Sequence, residues 1–421
     1  MRELSIQLAM PLSPATVNFL TDYGLALHKH GLAAHNLESV MTNIASALKV
    51  KIDVFSTPTL LLLSLESEEG ERLQVAKRLK PGDVNLDRLS LLDELGDSLI
   101  ENGLNVEAAH RRLSAINRKK ANYPSWLKTL SYGLVALAVA IIFSGSPIEL
   151  LASGVGGLIV GFITNYLAKA FNIDRSLEFI LAFIISLFTH ICSHLAASFH
   201  LASELNSNLV NISSLVYLVP GVSLTVSMAE LATENLVSGT ARLMGAVMIL
   251  LKLVFGLIMG IFVGQLFFTN PVIELSLKAE HPFSILAVAI LFASIGFTFL
   301  LEARFRDIKW IMLSSFFGFG IFKICSFYLS NPFAPTFIAA LIVGLAGSLY
   351  ARYLKHPAIT ILLPGITLLV PGSMGLKGLT LVLEDNTVLG LNLLIRVFFT
   401  GMAIVAGLLL ANILIPPKRS L

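Results

Sequence analysis

From residue 126 onward the chain is written in long apolar segments, and this constrains its fold more than anything else. Lipid offers no hydrogen-bond partners, so a backbone that crosses it must satisfy itself, as helices do. One crossing needs about 20 apolar residues. About ten segments qualify, at residues 126–144, 148–170, 177–200, 208–232, 238–268, 283–301, 308–329, 334–354, 357–382 and 387–415. Residues 269–281 join two sets of five. Only 14% of residues are charged, against about 25% in an ordinary soluble domain. The net charge of +3 gives no reason to expect a nucleic-acid partner.

Two of these segments are interrupted by similar phrases. Val219-Pro220-Gly221-Val222-Ser223-Leu224 in the fourth reads much like Leu363-Pro364-Gly365-Ile366-Thr367-Leu368 in the ninth. Proline removes a backbone donor and glycine loosens the helix. Broken helices in lipid survive only where protein or a water-filled cavity rescues the freed groups. Breaks at matching places in two halves point to a transporter's binding site. Pro371-Gly372 is a further break seven residues beyond Pro364.

Residues 1–125 are different material, dense in charge and without a spanning run. Residues 19–28 and 37–48 read as amphipathic helices, and residues 50–55, 60–65 and 72–77 as short strands. Residues 67–70 read as a turn. Asn85 and Asn105 are N-caps for two more helices, with a C-cap at Asn102-Gly103. This is a small α+β domain. Residues 1–15 lack the charged start and apolar run of a signal peptide. Cys192 and Cys325 sit in apolar segments, so neither a disulfide framework nor a zinc pattern is expected.

Charge orients the spans. Arg111, Arg112, Arg118, Lys119, Lys120 and Lys128 precede the first one. If that side is cytoplasmic, the later inner ends hold Lys169, Arg175, Arg242, Arg304, Arg306, Lys309, Arg352, Lys355, Lys418 and Arg419. The outer ends hold only Lys278 and Lys377, a positive-inside pattern. Both termini are then cytoplasmic. Because five is odd, the second half (residues 283–415) enters from the face opposite to the first (126–270), which makes any repeat an inverted one. The match of Leu158-Ile159-Val160-Gly161 with Leu341-Ile342-Val343-Gly344 pairs the second span with the eighth, against this register, and reads as chance.

The order of features resembles the threonine/serine exporter (ThrE) family in its fused form, over nearly the whole chain. The resemblance rests on Gly31 to Val50, on Leu104 to Ile116, on Tyr217 to Leu243 and on Ala358 to Gly372. Its most specific parts are the two Pro-Gly regions. One departure is Glu230, where the family phrase leads to an Asp. The resemblance implies a proton-driven exporter of threonine and serine, or of a dicarboxylate such as succinate.

Several residues are candidates for this work. Half-helix N-termini at Pro220-Gly221, Pro364-Gly365 and Pro371-Gly372 can bind a carboxylate through their amides. Ser223 and Thr367 follow the two phrases at equivalent places, although membrane hydroxyls mostly bond back to their own helix. Glu230 and Glu234 lie four apart, hence on one helical face, with Arg242 beyond. They suit an amine contact or a proton site, or else a solvated helix end. Lys252, Lys323 and Arg396 fall inside spans five, seven and ten, where a charge marks function by default unless it snorkels to an interface. His190 and His194 share a face of the third span, with His200 at its end. A proton relay competes with polar packing, and no third ligand makes them a metal site. Glycines Gly154, Gly156, Gly157, Gly161, Gly256, Gly260 and Gly264 are spaced for close helix packing.

His28, His30 and His35 cluster with Asp22 and Glu38 in the first domain, but no GxSxG or phosphate-loop motif accompanies them. No enzyme activity and no cofactor are expected. The expectation is a polytopic inner-membrane exporter of small polar metabolites using protons as coupling ion, with a channel of the same topology as the rival. Homo-oligomers are compatible with the sequence, and the first domain gates, regulates or assembles the transporter.

Overall fold

The computed structural model describes residues 13–67, 70–101, 103–171, 173–198, 205–267, 281–354, 356–383 and 386–416. The chain opens with α1 (Pro14–Lys29) and α2 (Ala34–Ala47). The turn between them is a Schellman cap on Gly31 at φ +82°, with Leu32 N–H bonded to Leu27 O at 3.2 Å. Any side chain at Gly31 would meet the Val84 backbone at 2.9 Å, so glycine is required twice over.

Strands β1 (Lys51–Thr57), β2 (Leu60–Glu66) and β3 (Arg72–Arg78) form an antiparallel sheet in that order. Alternation along β2 sends Leu61, Leu63 and Leu65 into one core with Phe19, Tyr23, Leu37, Met41 and Ile44. Helices α3 (Leu86–Ile100) and α4 (Val106–Arg118) close that core. Each is capped as its asparagine implies. Asn85 accepts from Arg88 N–H at 3.0 Å and Asn105 from Glu107 N–H at 3.2 Å. Asn102 of the expected C-cap lies outside the described residues.

The apolar part follows as α5 (Ser125–Ile142) and α6 (Pro147–Phe162), the latter continuing through a π-helical turn into α7 (Ala168–Phe171). Then come α8 (Leu177–Ser198), α9 (Ser207–Leu215), α10 (Gly221–Ala232) and α11 (Leu236–Phe267). After residue 281 come α12 (Phe283–Leu300), α13 (Ile308–Tyr328), α14 (Ala334–Leu354), α15 (Ile359–Thr367), α16 (Gly372–Leu383) and α17 (Thr387–Leu414). Among the described residues, nine helical stretches are long and apolar enough to cross a membrane. The fourth expected span is instead divided into α9 and the short apolar α10.

The helices pack in matching pairs. α8 lies on α11 as α14 lies on α17, α6 on α9 as α13 on α15, and α10 on α11 as α16 on α17. Across the middle, α5 meets α12, while α10 meets α17 and α11 meets α16. Small residues permit these approaches. A Cβ on Gly256 would stand 2.4 Å from Phe179 O, and one on Gly264 2.7 Å from the His190 ring. Gly156, Gly157 and Gly161 are equally tight against neighbours, whereas Gly154 makes only ordinary contact at 3.6 Å. Gly161 packs on Thr129 of α5 and Gly344 on Ala411 of α17, so the repeated Leu-Ile-Val-Gly serves two unlike contacts.

The first unit is fastened to the loop between α12 and α13. Leu86 and Asp87 N–H bond to Leu301 O and Glu302 O at 2.9 and 3.2 Å. Arg304 bonds to Asp87 at 3.0 Å and to Glu94 at 2.6 Å. Glu302 pairs with Lys128 and accepts from Asn122 N–H at 2.9 Å. Burial raises the pKa of the Asp87 carboxyl, but its bonds to Lys119 and Arg304 outweigh that and hold it below the usual range.

Three histidines of this unit are kept neutral. Burial lowers His30 to about 4, with Lys29 and Arg88 adding to it, and burial lowers His28 and His35 as well. The unfolded chain takes up these protons near pH 6.5. Their contribution to stability is therefore complete above about pH 6.5 and drains away as pH falls toward 4. Limited proteolysis of residues 13–118 in the full chain should be faster at pH 5 than at pH 7.5. His30→Gln should flatten that dependence.

Candidate functional site

The two breaks meet. α9 ends at Leu215 and the chain resumes helix at Gly221, with Pro220 as N-cap at φ −78° and ψ 45°. α15 ends at Thr367 and α16 resumes at Gly372, directly after Pro371. A Cβ built on Gly221 would stand 2.5 Å from Val370 Cγ1 and 3.3 Å from Gly372 Cα. A Cβ built on Gly372 would stand 3.0 Å from both Val219 Cγ1 and Gly221 Cα. The contact is reciprocal: the offset along the chain that carries Val219 to Val370 also carries Gly221 to Gly372. Both positions need glycine because backbone packs on backbone.

The N-termini of α10 and α16 thus lie side by side. An α-helix leaves its first N–H groups without intrahelical partners and carries a partial positive charge there. Pro220 supplies no side-chain cap to α10. Two such ends brought together favour an anion between them more than either would alone.

This arrangement corrects the pairing of phrases expected from sequence. Pro364 and Gly365 lie inside α15, not at its end. Proline deletes one amide bond there without ending the helix. Gly365 serves packing, since a Cβ on it would meet Ser314 Oγ at 2.2 Å. Ser314 and Ser315 of α13 also donate to Ile361 O and Pro364 O, at 2.9 and 3.4 Å. The true counterpart of Leu218-Val219-Pro220-Gly221 is Leu369-Val370-Pro371-Gly372, an identity of four letters. Ser223 and Thr367 are consequently not equivalent. Ser223 is half-buried in the first turn of α10, whereas Thr367 ends α15 and donates back to Leu363 O at 2.6 Å.

At the far end of α10, Glu230 is fully buried. Arg242 of α11 grips it with two bonds, Nε to Oε2 at 3.0 Å and Nη2 to Oε1 at 2.9 Å. The planar fork matches the carboxylate. A third bond arrives from the first unit: Ala34 N–H, at the start of α2, donates to Glu230 Oε1 at 3.0 Å. Burial raises the nearby Glu38 carboxyl, and Glu230 adds to that. No spacing rule could have revealed a partner 196 residues away.

Glu234 does not share this face. α10 stops at Ala232 in a Schellman turn, where Asn235 N–H reaches Glu230 O at 2.8 Å and Glu234 N–H reaches Leu231 O at 3.2 Å. Glu234 itself sits at φ +65° and is exposed. The helical four-residue relation needed a helix that has already ended.

The intrahelical cations are not brought to the breaks either. Lys252 donates to Arg175 O at 2.9 Å and pairs with Glu178 at 3.3 Å, both beside the start of α8. Lys323 is half-buried on α13 and Arg396 is exposed on α17. His190 Nδ1 lies 3.0 Å from Ser186 O, and its ring fills the space left by Gly264, which is the polar-packing arrangement. His194 is half-buried one turn on, and His200 lies outside the described residues. Among the described residues no His, Cys, Asp or Glu cluster could hold a metal.

Residues 18–264 match the model of a family described as a putative threonine/serine exporter, and residues 286–414 match one described as threonine/serine exporter, ThrE. The pheromone-regulated membrane protein 10 of Pichia sorbitophila is 25% identical over 356 residues, covering 83% of this chain and 35% of that protein. Its namesake from Candida albicans is 27% identical over 369 residues, covering 85% and 33%. This chain therefore spans about a third of the length of these yeast relatives. The threonine/serine exporter of Corynebacterium glutamicum is 24% identical over 393 residues, covering 93% of this chain and 75% of that protein. No solved structure matches.

The contact of the breaks can be tested by packing. Gly221→Ala should cost roughly 1–3 kcal/mol of stability through the clash with Val370. Val370→Ala should restore part of it, because the two sites couple directly. Thermal melts of the single and double variants in lipid nanodiscs measure this.

Proposed function

We propose, for a chain that belongs to the threonine/serine exporter family, that it exports threonine and serine across a bacterial inner membrane, driven by protons. The breaks at Pro220-Gly221 and Pro371-Gly372 form the substrate site. The observation that carries this is the reciprocal contact of Gly221 with Val370 and of Gly372 with Val219. It sets the first turns of α10 and α16 together, where the helix amides beyond Gly221, whose own N–H bonds to Val219 O at 2.7 Å, are the donors for a substrate carboxylate. The carbonyl ends of α9 and α15 lie one short loop away and suit the substrate's ammonium group.

The halves α5–α11 and α12–α17 act as inverted repeats. Matching packing pairs and the reciprocal glycine contact favour this, as does the odd number of segments in each half. Alternating access is then a rocking of one half on the other about the glycine contact. The first unit and both termini lie on the cytoplasmic side. Glu230 is the carboxylate assigned to coupling, because it is fully buried and tied at once to Arg242 and to the first unit. Pro364-Gly365, Glu234, Lys252, Lys323, Arg396 and His194 act outside the substrate site, and His190 acts in packing.

Inside-out vesicles with an acidic interior should accumulate radiolabelled threonine or serine, and an uncoupler should collapse the accumulation. Uptake of succinate alone would reassign the substrate to dicarboxylates. Flux that ignores the uncoupler at a fixed substrate gradient would make the protein a channel.

A further inference from the structure

The first unit holds both halves of the apolar body at once, and its two attachments are unequal. On the second half it makes two backbone hydrogen bonds, Leu86 to Leu301 and Asp87 to Glu302. Arg304, only 14% exposed, ties Asp87 and Glu94 into the same joint. Parting here would strip Arg304 of both carboxylates that hold it, which is costly. On the first half, among the described residues, the hydrogen bond is a single one, Ala34 N–H to Glu230 Oε1, supported by packing of β1 near α11. Parting there leaves Glu230 still doubly bonded to Arg242. No charge is stranded, and the only donor freed is a first-turn helix amide that water can take.

We infer that the first unit is a hinged cover, fixed on the Leu301–Asp307 loop and releasable at Ala34–Glu230. It exposes the end of the α10–α11 hairpin to substrate when it lifts. This rests on the export reading. The charged and titratable groups around the latch are Arg242 from α11, His28 from α1, and His35 and Glu38 from α2. Glu230 therefore works twice, as the partner of Arg242 and as the catch for α2.

Ala34 is the first residue of α2, and Ala33 before it is extended at φ −65° and ψ 149°. Proline is favoured at that helix position and after that backbone. Ala34→Pro therefore deletes the latch donor while leaving α2 and Glu230–Arg242 intact. Amide hydrogen exchange is followed by mass spectrometry on the full chain in proteoliposomes, with threonine as the probe.

The expected result is exchange across residues 35–47 about tenfold faster in Ala34→Pro than in the unsubstituted chain at rest, the scale of one hydrogen bond to a charged group. Threonine with an imposed proton gradient should produce the same acceleration in the unsubstituted chain, while residues 85–92 stay slow. Equal exchange in both proteins, or both regions opening together, overturns the hinge. Release of α2 under a gradient with no threonine, serine or succinate moving would keep the cover and remove the export reading. Export with α2 shut throughout would do the reverse.

Discussion

Two backbones touch where Gly221 meets Gly372, and the rest of the apolar body is arranged around that point. Lipid demands that a crossing segment satisfy its own backbone. Here the helix is interrupted in two segments at once, and each interruption lies against the other. Neither break could be left facing hydrocarbon. Together they bury each other's flank through Val219 and Val370 and set the first turns of α10 and α16 side by side. A substituent as small as a methyl group disturbs both.

The reciprocity ends at the C-terminal tip of α10. Glu230 and Arg242 form a buried ion pair there, while the positions that correspond to them in the second half are Leu381 and Leu393. This ion pair is one charge difference between the two stretches, and it is where the first unit rests. The arrangement gives α2 a reason to begin at Ala34, since the carboxylate supplies the N-terminal cap that Ala33 cannot.

Much of this was legible from the chain. Apolar runs marked the crossing helices because lipid permits so few structures. Alternation marked β2, and Asn85 marked the start of α3 because its side chain replaces a missing backbone partner. The failures have equally physical causes. A proline removes one hydrogen bond, and sequence does not say whether the helix survives the loss. Pro364 is carried inside α15, while Pro371 stands at a break. The identical Leu-Val-Pro-Gly phrases held the answer, but a looser six-letter likeness drew attention first. Lys252 looked stranded in a helix because its partner Glu178 belongs to a different one. Glu234 looked aligned with Glu230 because nothing in the sequence announces a Schellman turn on a glutamate.

The central claim is that the two breaks face each other and that substrate enters between them. Val219 Cγ1 stands 3.0 Å from where a Cβ on Gly372 would be, close to the spacing a disulfide imposes between a sulfur and the opposite Cβ. The decisive measurement is the rate of disulfide formation between Val219→Cys and Gly372→Cys in membranes, with Cys192 and Cys325 replaced by serine. The account predicts ready crosslinking that threonine slows as it parts the segments. Failure to crosslink in a double variant that still melts as the single Gly372→Ala variant does, or a rate indifferent to threonine, serine and succinate, would contradict it.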